Sequence, residues 1–257
     1  MITLSQIPGR TTMIDGKEYA FFSGYSYLGL GMLPAFTDLV KKGIDQYGVV
    51  YPSSRISNTA LDLYAKTEEA IANYTNTEEA ACFSSGFLSA RTTVEVVKEE
   101  MNVYYLHHTH PASTALDGLK QIPAEQSWAD FLNERASANE FQFGLVADSI
   151  NPTPGRVNDF SFLQTTPASF NITLIIDDSH GIGWLGEKGE GIRSLLQLPG
   201  SVELLLNFSL SKAFHINGGA VCGSRKWLSA VRQHVNYATS TPLMPSLAFA
   251  WLHAGHL

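Results

Sequence analysis

Asp177 closes the apolar run Thr173-Leu174-Ile175-Ile176. A carboxylate at the end of a buried strand needs a partner, because an isolated buried charge is costly. Lys212 follows a second apolar run, Leu204 to Phe208, in the segment Ser209-Leu210-Ser211-Lys212, with Gly218-Gly219 close behind. An amine set among apolar residues loses its charge more readily and becomes a nucleophile. A lone lysine there is more often an ordinary surface residue, so Lys212 gains meaning only in company. Ser84-Ser85-Gly86-Phe87 supplies some: it joins an apolar run to a helix-forming segment, where amides and the helix dipole hold a phosphate. A strand-end acid, a lysine and a helix-start phosphate cradle are the three things pyridoxal phosphate requires, namely a ring-nitrogen partner, a Schiff-base amine and a phosphate site.

Competing motifs are weaker. Gly181-Ile182-Gly183-Trp184-Leu185-Gly186 matches the dinucleotide fingerprint letter for letter. That fingerprint needs its first glycine at the strand end and a helix starting inside it, whereas Asp177 to His180 intervene and Glu187 to Gly191 follow as another flexible stretch. His107, His108 and His110 lack a nearby Cys, Asp or Glu to complete a metal set, so no metal is expected. Asp178-Ser179-His180 fails as a hydrolase triad, since adjacent side chains cannot form a relay.

These residues must be positioned by a scaffold, and its pattern is regular. Strand-length apolar runs at Ala80–Phe83, Asn102–Leu106, Phe143–Ala147, Thr173–Ile176, Leu204–Phe208 and Gly219–Cys222 alternate with helix-like segments. The helices fall at Ala35–Tyr47, Leu61–Tyr74, Phe87–Glu100, Trp128–Ala138, Gly191–Gln197 and Lys226–Asn236, with another helix-like run at Ser246–His253. Such alternation predicts an α/β fold of three layers, a mainly parallel sheet covered on both faces. Ligands then collect beyond the carboxyl ends of the strands, where Asp177 and Lys212 lie.

Composition narrows the function classes. The 257 residues carry 17 Lys+Arg against 24 Asp+Glu, a net charge of −7, which argues against a nucleic-acid partner. With 44% hydrophobic and 16% charged residues, the chain can bury a large core. No apolar run is long enough to span a bilayer, and Met1 to Gly16 lacks the charged-then-apolar pattern of an export signal. Cys82 and Cys222 sit in apolar settings and read as buried free thiols, which fits a cytoplasmic protein.

Several segments carry a family likeness. Tyr25-Ser26-Tyr27-Leu28-Gly29-Leu30 is similar to an opening Asn-Tyr-Leu-Gly-Leu, and Tyr47-Gly48 through Ser54-Arg55 to a Gly-rich stretch ending in Ser-Arg. Thr67-Glu68 and Ile71-Ala72 stand where the likeness has Leu-Glu and an apolar-Ala pair. Ser85-Gly86-Phe87, Asp177-Asp178-Ser179-His180-Gly181, Ser209 to Phe214, and Tyr237 to Pro242 are similar to Ser-Gly-Tyr/Phe, Asp-Glu-Ala-His-Gly, Thr-x-x-Lys and Tyr-Ser-Thr-x-x-Pro. Together, from about Phe22 to the last residue, the chain resembles the α-oxoamine synthases among the fold type I pyridoxal-phosphate-dependent transferases.

The resemblance implies roles for particular residues. Ser85, Gly86, Phe87 and Ser209 would contact phosphate and ring, Asp177 the pyridine nitrogen, His180 the ring hydroxyl, and Lys212 would carry the cofactor. Thr241 would reach the phosphate of a partner subunit in a homodimer. A ring-stacking histidine, also placed to move a proton, falls on His110, with His108 in reserve because the family spacing is not kept. Pro152 stands in place of a serine and Ala90 in place of an asparagine.

The implied activity is transfer of an acyl group from acyl-CoA to a small amino acid. An aminotransferase or other amino-acid-acting enzyme on the same cofactor, and a non-catalytic accessory subunit, stay open. Residues 1–40 read as an N-terminal segment and 41–257 as a cofactor-binding large domain. The family's smaller C-terminal domain, with its carboxylate-holding arginine, is expected in a longer protein, so this chain should bind cofactor more readily than it turns over substrate.

Overall fold

A computed structural model of the chain describes residues 2–255 and 257. Strands occur at β1 Thr11–Ile14, β2 Lys17–Ala20, β3 Glu79–Phe83, β4 Val103–Tyr105, β5 Lys120–Gln121, β6 Gln142–Asp148, β7 Ile150–Asn151, β8 Arg156–Val157, β9 Asn171–Asp177, β10 Val202–Ser209 and β11 Gly219–Gly223. The helices are α1 Pro34–Tyr47, α2 Asp62–Tyr74, α3 Gly86–Glu100, α4 Pro111–Thr114, α5 Trp128–Ser137, α6 Arg225–Gln233, α7 Val235–Thr239 and α8 Pro245–His253.

Seven strands form the central sheet in the order β3-β11-β10-β9-β6-β4-β5. Every neighbouring pair is parallel except those made by β11, which runs antiparallel to β10 and β3. The sheet feeds two cores. Ile172, Leu174 and Ile176 of β9 point into one with Leu63 and Ile71 of α2 and Phe131 and Leu132 of α5. Ile175 points into the other with Val94 and Val97 of α3 and Trp227, Leu228 and Val231 of α6. The period-2 alternation of a strand thus becomes a sheet buried on both faces. The three-layer α/β architecture expected from the alternating runs is present.

Two expected helices need correction. Gly191–Gln197 yields only a single 3-10 turn, Ile192–Leu195. Gly191 sits at φ +86°, the buried Asp178 Oδ2 accepts the Ile192 amide at 2.9 Å and ties the start of the turn to the strand end, and Leu196 is already extended. Lys226–Asn236 is two helices, because His234 adopts extended backbone and its Nδ1 accepts the Asn236 amide at 3.3 Å, capping α7. The β1–β2 and β7–β8 hairpins were not anticipated; their strands are too short to leave a periodic signal. The division at residues 40 and 41 falls inside α1, which packs along α8. Among the described residues no helix is long and apolar enough to cross a membrane.

Candidate active site

Parallel strands β6 and β9 end at the same level, with Asp148 opposite Asp177 in register. Both carboxylates open into a cleft of about 110 Å³ at the carboxyl ends of the strands, lined also by Gly86, Phe87, His110, Ala112, Ser179, His180, Ser209 and Lys212. The sheet therefore brings together residues from positions 86 to 212.

Asp177 Oδ1 accepts the Ser179 amide at 2.9 Å, which fixes the carboxylate as the chain turns away from β9. Ser179 Oγ in turn accepts the Ser209 amide at 2.8 Å, bracing the end of β10 against that turn. Lys212 follows three residues later. Burial drives its pKa down, opposed by the charges of Asp177 and Asp148. Burial, followed by the charge of Lys212, also lowers the pKa of His180, which favours a neutral imidazole. Asp148 shifts the other way: burial, then the neighbouring Asp177, push it up to about 7.

Across the cleft, Ser85 caps α3, its hydroxyl accepting the Leu88 amide at 3.2 Å. Gly86 and Phe87 begin the helix at the cleft, with amides that have no intrahelical acceptor. Only glycine fits at position 86, since a Cβ there would lie 2.5 Å from the Cβ of Ser209 and 2.7 Å from its Cα. The Ser209 hydroxyl pairs with that of Ser211 at 2.7 Å.

Of the two histidines weighed for the cleft, His110 lines it and His108 does not. His108 adopts φ +67° and lies against His107, with ring centroids 3.8 Å apart. The turn that follows places His110 at the start of α4, where its Nδ1 accepts the Ala112 amide at 3.1 Å and its own amide reaches Asp148 Oδ1 at 3.2 Å. Ser85 and Thr241 stand apart from the other expected residues. The Ser85 hydroxyl is engaged as a helix cap, and Thr241 is exposed beyond α7, outside the cleft of its own chain.

Asp148 and Tyr27 are not among the expected site residues, although Tyr27 lies in the family-like segment Tyr25 to Leu30. Asp148 obeys the same rule as Asp177, an acid closing an apolar run, and was legible on that ground. Tyr27 reaches His180 across a sequence separation of 153 residues, which no local pattern signals.

The aminotransferase class I and II family model matches residues 23–257. The chain is 28% identical over 235 residues to 8-amino-7-oxononanoate synthase of Coprothermobacter proteolyticus, covering 88% of this chain and 59% of that one. It is 25% identical over 260 residues to 8-amino-7-oxononanoate synthase of Thermosipho melanesiensis, covering 98% and 66%. The serine palmitoyltransferase structure of Sphingomonas wittichii superposes with a TM-score of 0.83 at 18% identity, covering 99% of this chain and 66% of that one, a likeness of fold. The chain spans about two thirds or less of the length of these relatives.

Proposed function

Because the chain belongs to the aminotransferase class I and II family, we propose that it is a pyridoxal-phosphate-dependent transferase of the α-oxoamine synthase type, joining an acyl group from acyl-CoA to a small amino acid. The observation that carries this reading is the meeting of Asp177, Lys212, His180 and His110 with the start of α3 in one cleft. The residues fit the cofactor. The close seat of Gly86 on Ser209 keeps side-chain bulk away from the helix-start amides, so a phosphate can approach them. When bound, pyridoxal phosphate supplies an electron-withdrawing ring that stabilises negative charge on the substrate Cα.

The chain's own groups do the rest. Asp177, braced by the Ser179 amide, would pair with the ring nitrogen and keep a proton on it. Lys212, its charge weakened by burial, would hold the cofactor and, once displaced by the substrate amino group, would be free as an amine to move the Cα proton through Nζ. Ser209 would support the phosphate, His180 would donate to the ring hydroxyl, and His110 would stack on the ring and be the second candidate to move a proton. Thr241, exposed on its own subunit, completes the phosphate site of a second copy, making the enzyme a homodimer. The buried thiols Cys82 and Cys222 suit the reducing cytoplasm.

Release of free CoA thiol by cofactor-loaded protein should require both an amino acid and an acyl-CoA. A second reading rests on the β7–β8 hairpin, which carries Pro152 close to the cleft-lining Asp148 and offers no amide donor at that position. It is an aminotransferase, and amino-group transfer to a keto acid without CoA would establish it instead. Light scattering tests the dimer: a monomer with full cofactor occupancy would overturn the role of Thr241.

A further inference from the structure

Tyr27 Oη lies 2.6 Å from His180 Nδ1. The contact belongs to a seated segment. Leu28 packs towards Gly183 of the same turn, and Gly31 leaves the space that the His215 imidazole fills, since a Cβ on Gly31 would overlap that ring. Ser26 Oγ also stands 3.4 Å from His215 Nδ1. His215 holds φ +56°, a backbone region costly to a residue with a Cβ, so its surroundings must fix it there. Residues 26–31 therefore rest on the two loops that bracket the cleft, one carrying His180 and the other following Lys212.

Which ring nitrogen of His180 bears the proton follows from its partner. Burial raises the pKa of Tyr27, so the phenol keeps its proton at neutral pH. A phenol also donates to a neutral imidazole nitrogen more readily than it accepts from one, and a neutral ring carries a single N–H. Tyr27 lines the larger groove beside the cleft, whereas His180 lines the cleft itself. The Nδ1 edge thus faces Tyr27 and leaves Nε2 for the cleft.

We infer that Tyr27 is a positioning residue whose hydroxyl donates to His180 Nδ1 and fixes the imidazole with its proton on Nε2, ready to donate into the cleft. The tautomer is a property of the His180 ring itself and stands whether or not the proposed acyl transfer does. Nitrogen-15 NMR of the cofactor-free protein at neutral pH reads it directly. Wild-type His180 should show an acceptor-type Nδ1 and a protonated Nε2. Tyr27→Phe, which removes one oxygen atom from a half-exposed ring, should give a mixture of tautomers with the melting temperature nearly unchanged. A wild-type ring protonated on Nδ1 overturns the inference whatever the variant does, and so does an unaltered tautomer in Tyr27→Phe. His215→Gly relaxes the backbone while removing the ring that seats the segment. Faster amide exchange over residues 26–31 at an unchanged or raised melting temperature is expected, and unchanged exchange would overturn the seat.

Discussion

Arg55 grips Glu68 with both prongs of its guanidinium, Nη1 to Oε1 at 2.9 Å and Nη2 to Oε2 at 3.0 Å, where each side chain is only 9% exposed. Glu68 Oε1 also accepts the Cys82 amide of β3 at 2.9 Å, and Arg55 lies over the rings of Tyr64 and Tyr237. Beside it, the Ser54 hydroxyl donates to the Ala238 carbonyl at 2.6 Å. One ion pair therefore joins the loop before α2, the sheet, and the segment that leads to Thr241.

Removing one partner of this pair strands a buried charge. Glu68→Gln and Arg55→Met should each destabilise the protein by about 3–5 kcal/mol, the range for one-sided loss of a buried pair. Combining them should cost less than their sum, because neither charge is then left alone and the carboxamide oxygen introduced by Glu68→Gln can still accept the Cys82 amide. Urea unfolding of the four proteins checks the coupling. Additive losses would mean that the two side chains act separately.

Lys212 is the expected attachment point of the cofactor. Borohydride reduction after loading with pyridoxal phosphate should place the pyridoxyl group on Lys212, located by peptide mass spectrometry. Lys212→Ala should lose the adduct but keep weaker, reversible binding, because Asp177 and the α3 amides remain. An adduct on another lysine in the wild-type protein would displace the assignment.

The central strands were readable because burial on both faces leaves continuous apolar runs, as in Thr173–Ile176 of β9. Their direction was less so: the five residues of β11 are all buried, and such a strand reads alike whether it runs with or against its neighbours. Asp177 and Lys212 were visible as polar residues ending or following apolar runs. That His110 lines the cleft and His108 does not follows from a backbone turn at φ +67° that spacing does not encode. The Ser85 hydroxyl caps α3, a use that residue type alone does not distinguish from phosphate contact.

A pH dependence should arise at Asp178, the neighbour of Asp177. It is fully buried, and burial pushes its pKa up to about 7 against the milder influence of the Ser149 hydroxyl and the Ile192 amide. The Ser149 hydroxyl lies near without closing a hydrogen bond, so Asp178 Oδ1 lacks a partner among the described residues. A carboxyl whose folded pKa is raised gives stability that is fully present below its unfolded pKa, near 3.8, and is lost as pH rises to the folded value of about 7. Asp178→Asn keeps an acceptor for the Ile192 amide and removes the titration. The variant should gain on the order of 1 kcal/mol or more over wild type at pH 7.5 and little at pH 4, read from urea midpoints. An equal difference at both pH values would exclude Asp178 as the source.

Ser85 and Gly86 are adjacent, yet their substitutions should separate stability from cofactor binding. Ser85→Ala removes the hydroxyl that accepts the Leu88 amide, and a lost N-cap costs about 1 kcal/mol, with the Gly86 and Phe87 amides left in place. Cofactor affinity should then change little if, as proposed, those amides carry the phosphate while the hydroxyl is engaged with the Leu88 amide. Gly86→Ala puts a methyl group into the Cα and Cβ of Ser209. Backbone cannot swing aside as a flexible side chain does, so the start of α3 must move away from β10 and widen the cradle. Affinity for pyridoxal phosphate should fall at least tenfold, while pyridoxal without the phosphate should bind nearly as before. Isothermal titration of both ligands against both variants and wild type decides this. A larger affinity loss in Ser85→Ala than in Gly86→Ala would return the phosphate to the serine hydroxyl.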